Sequence, residues 1–350
     1  MSPLRILPPF MRLAVLGLWI CVAGCRPAQD TPQVVIYVSA DEYVARPILE
    51  QFEQETGISV QALYDTEATK TTGLVSRIIA EAARPRADLF WSSECFRMIE
   101  LQQGGLLGQF PPDQVRVMNE GVPANWCSSA DAWVAIAPRA RVIVYAPDRV
   151  AADARPTDWE DLADSRWKGR LAMADPRFGT TGGHLGAMYV AWGPERYGRW
   201  IDGLVANDVS VLSSGNAGVV EGIASGEFDV GMTDTDDVWA ARARGLSVEL
   251  IYPRHEPPPV AGGGTLLIPN TIGLIKGGPH PQSARVLASW LASPQAERRL
   301  MESPSRNIPL RGDPGDLAVP DPLQVELEQA SVQRAKALEA ARSRGLLEAS

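Results

Sequence analysis

The sequence predicts an α/β protein of two lobes, each a mainly parallel sheet flanked by helices, with a two-strand hinge between them. Three observations carry this. From residue 34 onward, short apolar β-branched runs alternate with helical spacing, the pattern of a parallel sheet covered on both faces. The 350 residues suffice for two cores at roughly 150 residues per domain. Two apolar stretches, 133–145 and 266–275, are placed to cross between the halves, and two crossings make a hinge with a cleft. A composition of 45% hydrophobic and 21% charged residues is that of a globular chain and excludes a disordered or collagen-like one.

The elements follow in order. Val34-Val35-Ile36-Tyr37-Val38 reads as a buried strand ended by Ser39-Ala40-Asp41. Val44, Ile48, Leu49 and Phe52 recur at helical spacing over 43–55, and Gly57 stops that helix. A second strand at 58–63, a second helix at 69–83 with Leu74, Ile78 and Ile79 on one face, and a third strand at 87–91 complete the first run. Beyond Trp126 come strands at 133–136 and 141–145, broken by Pro138, and a short strand at 171–174. Helices at 184–192 and 195–205, a strand at 209–212, a helix at 217–224 and a strand at 230–232 follow. After Gly262-Gly263-Gly264, strands at 266–268 and 272–275 lead into helices at 281–292, 294–301 and about 322–345. Lobe 1 is expected to comprise 34–137 plus 263–350, including the C-terminal helices, and lobe 2 to comprise 138–262.

Residues 1–24 stand apart. Arg5 and Arg12 precede an apolar stretch over 13–23, too short for a comfortable membrane span, as in a secretory signal. The stretch ends in Val22-Ala23-Gly24-Cys25, which looks like a bacterial lipobox: cleavage before Cys25 would free its thiol for lipidation. Residues 25–33 then read as a tether. Removing the leader takes two of 33 basic residues and none of 42 acidic ones, so the charge moves from −9 to −11. So acidic a chain is a poor partner for nucleic acid. Cys95 and Cys127 are left as one pair, with a disulfide and two buried thiols as alternatives.

In open α/β sheets, ligands sit beyond the carboxyl ends of the strands. The residues there are Ser39 and Asp41; Tyr64-Asp65-Thr66-Glu67; Ser92, Ser93 and Glu94; Thr180-Thr181-Gly182-Gly183; Ser213-Ser214-Gly215-Asn216; and Thr233-Asp234-Thr235-Asp236-Asp237. Such residues are ordinary helix caps, but the same helix starts bind anions through free N–H groups. Their recurrence at six strand ends favours a binding cleft. Three carboxylates in four residues, Asp234, Asp236 and Asp237, need a cation, a helix start or protons to relieve their repulsion, and carboxylate oxygens suit hard cations. Tyr43, Tyr64, Trp91 and Trp239 flank these loops as pocket walls or core. His184, His255 and His280 are isolated in the sequence, with a surface or capping role expected. No G-x-S-x-G elbow, phosphate loop or dinucleotide fingerprint is present, so an enzyme is not expected.

Several segments carry a resemblance: the 34–38 strand with its helix, Arg86-Ala87-Asp88-Leu89-Phe90-Trp91-Ser92, Trp133-Val134-Ala135 with Arg141-Val142-Ile143-Val144-Tyr145, Trp167-Lys168-Gly169-Arg170, and Gly226-Glu227-Phe228-Asp229. In this order they resemble the periplasmic solute-binding proteins of bacterial ABC importers, in particular the ferric-ion-binding branch. Related branches take thiamine, polyamines, phosphonates and sugar phosphates. The resemblance covers about 34–310 and implies a type II periplasmic-binding-protein fold. It implies a monomer outside the cytoplasm, held to the membrane only by lipidated Cys25, that serves a permease and an ATPase subunit. The family's first-strand metal histidine falls at Asp41, and its glutamate after the third strand at Ser93 or Glu94. Its anion-site residues fall at Thr180, Thr181 and Gly182, Asn216 and Asp234, the last an Asn turned acidic. Its tyrosine pair falls on Asp236 and Asp237. The implied cargo is Fe(III), with or without a synergistic anion, as transported ligand and not as cofactor, on metal ligands Asp41, Glu94, Asp236 and Asp237. The alternative is an organic phosphate, a phosphonate or an amine-containing solute.

Overall fold

The computed structural model describes residues 31–65 and 71–347. The leader at 1–24, Cys25, most of the tether, and Thr66 and Glu67 lie outside the described residues.

The first half runs β1 (Gln33–Val38), α1 (Glu42–Thr56), β2 (Ser59–Tyr64), α2 (Thr72–Ala80), β3 (Leu89–Ser92), α3 (Phe96–Gln103) and α4 (Pro112–Met118). Val44, Ile48, Leu49 and Phe52 form the buried stripe of α1, and Gly57 closes it in the left-handed conformation at φ 70°, its N–H bonding Glu53 O. Burying each such side chain contributes about 1.5–3 kcal/mol. A 13-residue strand, β4 (Trp133–Tyr145), leads into β5 (Leu171–Ala174), α5 (Gly179–Ala206), β6 (Ser210–Leu212), α6 (Gly215–Ser225), β7 (Val230–Asp234), α7 (Thr235–Ala243) and β8 (Glu249–Ile251). The chain returns through β9 (Leu267–Leu274), then α8 (Pro281–Leu291), α9 (Pro294–Glu302) and α10 (Leu327–Ser343).

The strand order is β2-β1-β3-β9-β4-β7-β5-β6, with β8 beside β4. β1, β2 and β3 are parallel, as are β5, β6 and β7, while β4 and β9 are antiparallel to their neighbours. The first half of β4 pairs with β9, and its second half with β7 and β8. The two expected crossings are therefore β4 and β9, lying side by side.

Each of these strands was expected as two segments and is continuous. Between Ile136 and Arg139 β4 carries one residue more than β9 opposite, where the pairing passes from Asn270 to Ile268. Pro138 and Pro269 both fall in this bulge, where no ladder N–H is required. Ala137, at φ 30°, is held by its N–H to Glu297 (3.0 Å) and by Asn270 Nδ2 to its carbonyl (2.6 Å), and Ile308 N–H bonds Pro138 O at 2.8 Å. In α5 the non-helical Gly193 (φ 72°, ψ 167°) followed by Pro194 divides two helical stretches, at the place where two helices were expected.

The C-terminal helices divide. α8 packs on β1 and β9, whereas α10 lies along α5, with Tyr197 OH donating to Ala337 O at 3.0 Å. α10 also meets α3 of the first half, with Ser331 Oγ donating to Phe96 O at 3.0 Å and Arg334 Nη1 3.3 Å from Glu100 Oε1, while its small residues Ala330, Ala337 and Ala341 let it nest on the glycine-rich α5. Cys95 and Cys127 are both free thiols, the former buried.

Candidate functional site

Register brings the strand ends together. Val38 of β1 pairs with Tyr64 and Trp91, so Ser39-Ala40-Asp41 and Ser92-Ser93 emerge at one edge. Ala174 pairs with Leu212, and Met173 with Met232, so Asp175, Ser213 and Thr233-Asp234 emerge together in the second half. Between them lies a cleft, open to solvent, whose walls include Ser93, Arg139, Thr180, Asn216, Asp236 and Asp237.

Asp234 is at its centre. On antiparallel β4 and β7 it stands directly across from Arg141, and Arg139, two residues along, shares that face. Arg141 Nη1 donates to Asp234 Oδ1 at 2.8 Å. Oδ2 accepts from Arg139 Nε (3.1 Å), Thr180 Oγ1 (2.6 Å) and Asn216 Nδ2 (2.9 Å). All these groups except Asn216 are buried, and Arg141 is wholly so. Burial alone would raise the Asp234 pKa, but the two guanidiniums and the Thr180 hydroxyl bring it below the ordinary carboxylate value. Burial would likewise lower the pKa of Arg139, and Asp236, Asp234 and Asp237 drive it up. Among the described residues, Nε and Nη2 of Arg141 have no hydrogen-bond partner, and Arg141 is not among those lining the cleft.

The remaining acids are more accessible. Asp236 and Asp237 occupy the first turn of α7, and carboxylate oxygens of Asp234, Asp236 and Asp237 lie within 4.8 Å of one another. Arg139 Nε is 3.5 Å from Asp236 Oδ2, and its Nη1 donates to the Ser93 carbonyl, so this side chain touches both halves. Asp41, just before α1, lines the same recess as Ser93, Arg139, Asp236 and Ser305. Tyr43, in the first turn of α1, feels the same charges: desolvation of its hydroxyl, helped by Asp41, Asp236 and Asp237 and opposed by Ser305, pushes its pKa up to about 12.

Other expected residues are placed differently. Glu94 is fully buried and does not face the cleft; its carboxylate caps α3, accepting from the Phe96 N–H (2.6 Å) and the Arg97 N–H (3.1 Å). This corrects its expected role as a metal ligand, and burial raises its pKa to about 7 despite Arg97. Ser39 and Ser93 join a buried hydroxyl cluster with Thr71, whose Oγ1 is 3.2 Å from Ser39 Oγ. Only Ser93 of the three also lines the cleft. Tyr64 packs against the first core under the Arg46 guanidinium, 5.2 Å from its ring centroid, outside the cleft lining. Thr181 lines the cleft, but Gly182 is a packing residue: a Cβ there would meet Pro176 O at 2.2 Å and Arg334 Nε at 2.7 Å. Trp91 is core, and Trp239 lies between Arg242 and Arg306. His184 and His255, read as surface or capping residues, are a buried pair with their Nε2 atoms 2.9 Å apart.

Arg139 and Arg141 were not singled out as site residues. The available signal was two arginines, two positions apart, in an otherwise apolar strand, because charges on a buried strand need partners.

Fold and cleft are those of a two-lobed solute-binding protein. The chain belongs to the bacterial extracellular solute-binding protein family, whose model matches residues 34–303. It is thus a binding protein, not an enzyme. Among curated relatives it is 26% identical over 289 residues to iron uptake protein A1 of Synechocystis sp., covering 79% of this chain and 77% of that one. It is 24% identical over 273 residues to the major ferric iron-binding protein of Neisseria meningitidis, covering 76% and 78%. Among solved structures, iron-bound HitA from Pseudomonas aeruginosa superposes with a TM-score of 0.77 at 22% identity, over 90% of this chain and 99% of that one.

Proposed function

We propose that this protein is the receptor of an ABC importer, that it captures ferric iron between its lobes on Asp41, Asp236 and Asp237, and that it delivers the metal to a permease and ATPase pair. The observation that carries this is the convergence of Asp41, from the start of α1, with Asp236, from the start of α7, on one recess. Hard oxygen donors from opposite halves form a site completed only by closure, and they suit a hard trivalent cation. The names of the relatives agree. Ser93, Thr180, Thr181 and Asn216 are read as the polar wall around the metal, lobe 1 as 34–137 with the return after 263, and lobe 2 as 138–262.

Titration calorimetry with Fe(III), a phosphonate and a polyamine tests the reading. Iron is expected to bind and the organic ligands to give no heat. Asp236→Ala with Asp237→Ala should weaken iron binding at least 100-fold, and unchanged affinity would overturn the assignment. A monomer anchored through lipidated Cys25 completes the proposal. Cys25→Ala should move the protein from the membrane to the soluble fraction, and unaltered partitioning would remove the anchor.

A further inference from the structure

We propose that Asp234 is a built-in anion, a carboxylate that takes the donors an external oxyanion would need, so that the cleft accepts a metal ion without a co-bound phosphate or carboxylate. The metal half of this statement rests on the function proposed above; the anion half does not.

The geometry is that of an occupied anion site. An ionised carboxylate accepts about four hydrogen bonds through its two oxygens. Asp234 accepts four, from two guanidiniums, one amide and one hydroxyl, at 2.6–3.1 Å. The donors come from three separate elements: β4, the start of α5 and the start of α6. Such convergence is what recognition of a free oxyanion requires. Here the recognised group is attached to β7 and is 1% exposed. An incoming phosphate would find Arg139, Thr180 and Asn216 engaged and a fixed negative charge in its path. The exclusion therefore also counts against phosphate-bearing organic solutes in this part of the cleft. Asp234 is bound to both arginines and Asp236 Oδ2 lies 3.5 Å from Arg139 Nε, so carboxylates of the chain itself offset the two guanidiniums.

The near-isosteric change Asp234→Asn removes the carboxylate that pairs the wholly buried Arg141 and leaves Arg139 to Asp236, a condition that draws in a counter-ion. Calorimetry on the metal-free protein with inorganic phosphate should show no binding to the wild type and binding to Asp234→Asn. In parallel, Fe(III) affinity of the wild type, measured against a fixed concentration of competing chelator, should change less than twofold when millimolar phosphate is added. The proposal is overturned if the metal-free wild type binds phosphate, if phosphate raises wild-type iron affinity tenfold or more, or if a folded Asp234→Asn binds no phosphate. Should that variant fail to fold, the two wild-type measurements decide. A wild type that binds no iron, with an Asp234→Asn variant that binds phosphate, would remove the proposed cargo and uphold the internal anion.

Discussion

Glu94 shows how burial converts an acidic side chain from ligand to structural cap. Both its oxygens turn inward to the α3 N–H groups, and its pKa rises to about 7 from an ordinary 4.5. The folded state thus holds the proton more tightly than the unfolded chain does. The resulting stabilisation is complete below about pH 4.5 and is lost as pH rises through 7. Across that window the loss amounts to about 3 kcal/mol at 1.36 kcal/mol per unit. Urea unfolding of Glu94→Gln against wild type at pH 5 and pH 8 measures it: the variant should lose less stability on going to pH 8, and parallel losses would disprove the assignment. Asp234 has the opposite sign. With its pKa below the ordinary value, its contribution is present above the unfolded pKa and disappears as pH falls through the folded one. The two residues show why an acid's sequence position says so little about its task. Each follows a strand-end motif, and only the direction of the side chain separates them.

Among the elements, the start of α5 depends most on close approach. A Cβ on Gly183 would come within 1.9 Å of the Phe96 ring of α3, and one on Gly186 within 2.5 Å of Ala330 O of α10. Gly183→Ala therefore overpacks a buried contact, at a cost of about 1–3 kcal/mol. A fall in Tm of roughly 2–10 °C is expected by calorimetry, and an unchanged Tm would mean that α3 and α5 are not in contact. The strand ends and most elements were legible in the sequence because hydrophobic period and Gly or Pro punctuation are local signals. The joining of 133–145 into one strand was not legible, because Pro138 reads as a breaker unless its bulge partner Pro269 is known to lie opposite. That α10 would meet α5 as well as α3 was not legible either, since a charged helix of small residues gives no sign of which neighbour it meets. Of the strand-end residues, Ser93, Thr180, Thr181, Asn216, Asp236 and Asp237 line the cleft, and Asp41 lines the smaller recess that shares Ser93, Arg139 and Asp236 with it. Arg139 and Arg141 escaped notice because their importance comes from the β4–β7 register, a long-range property.

For the whole molecule, the fold ties the two halves through adjacent backbone ladders on β4 and β9. A metal held by Asp41 on one side and by Asp236 and Asp237 on the other would favour the closed arrangement by its extra contacts there. Small-angle scattering of the apo protein should show a decrease in radius of gyration on adding Fe(III), and none for the Asp236→Ala/Asp237→Ala variant. An equal decrease in both would sever closure from those carboxylates.

Arg141 and Asp234 belong to neighbouring strands of one half, so opening the molecule like a book leaves their ion pair intact on a single page. Arg139 is differently situated: it grips the Ser93 carbonyl on the facing page as well as Asp234 and Asp236 on its own. It is a clasp across the spine, and under the proposed function a cation seated on Asp236 would compete with it for that carboxylate. Cargo arrival and the release of this guanidinium would in that sense be two sides of one exchange.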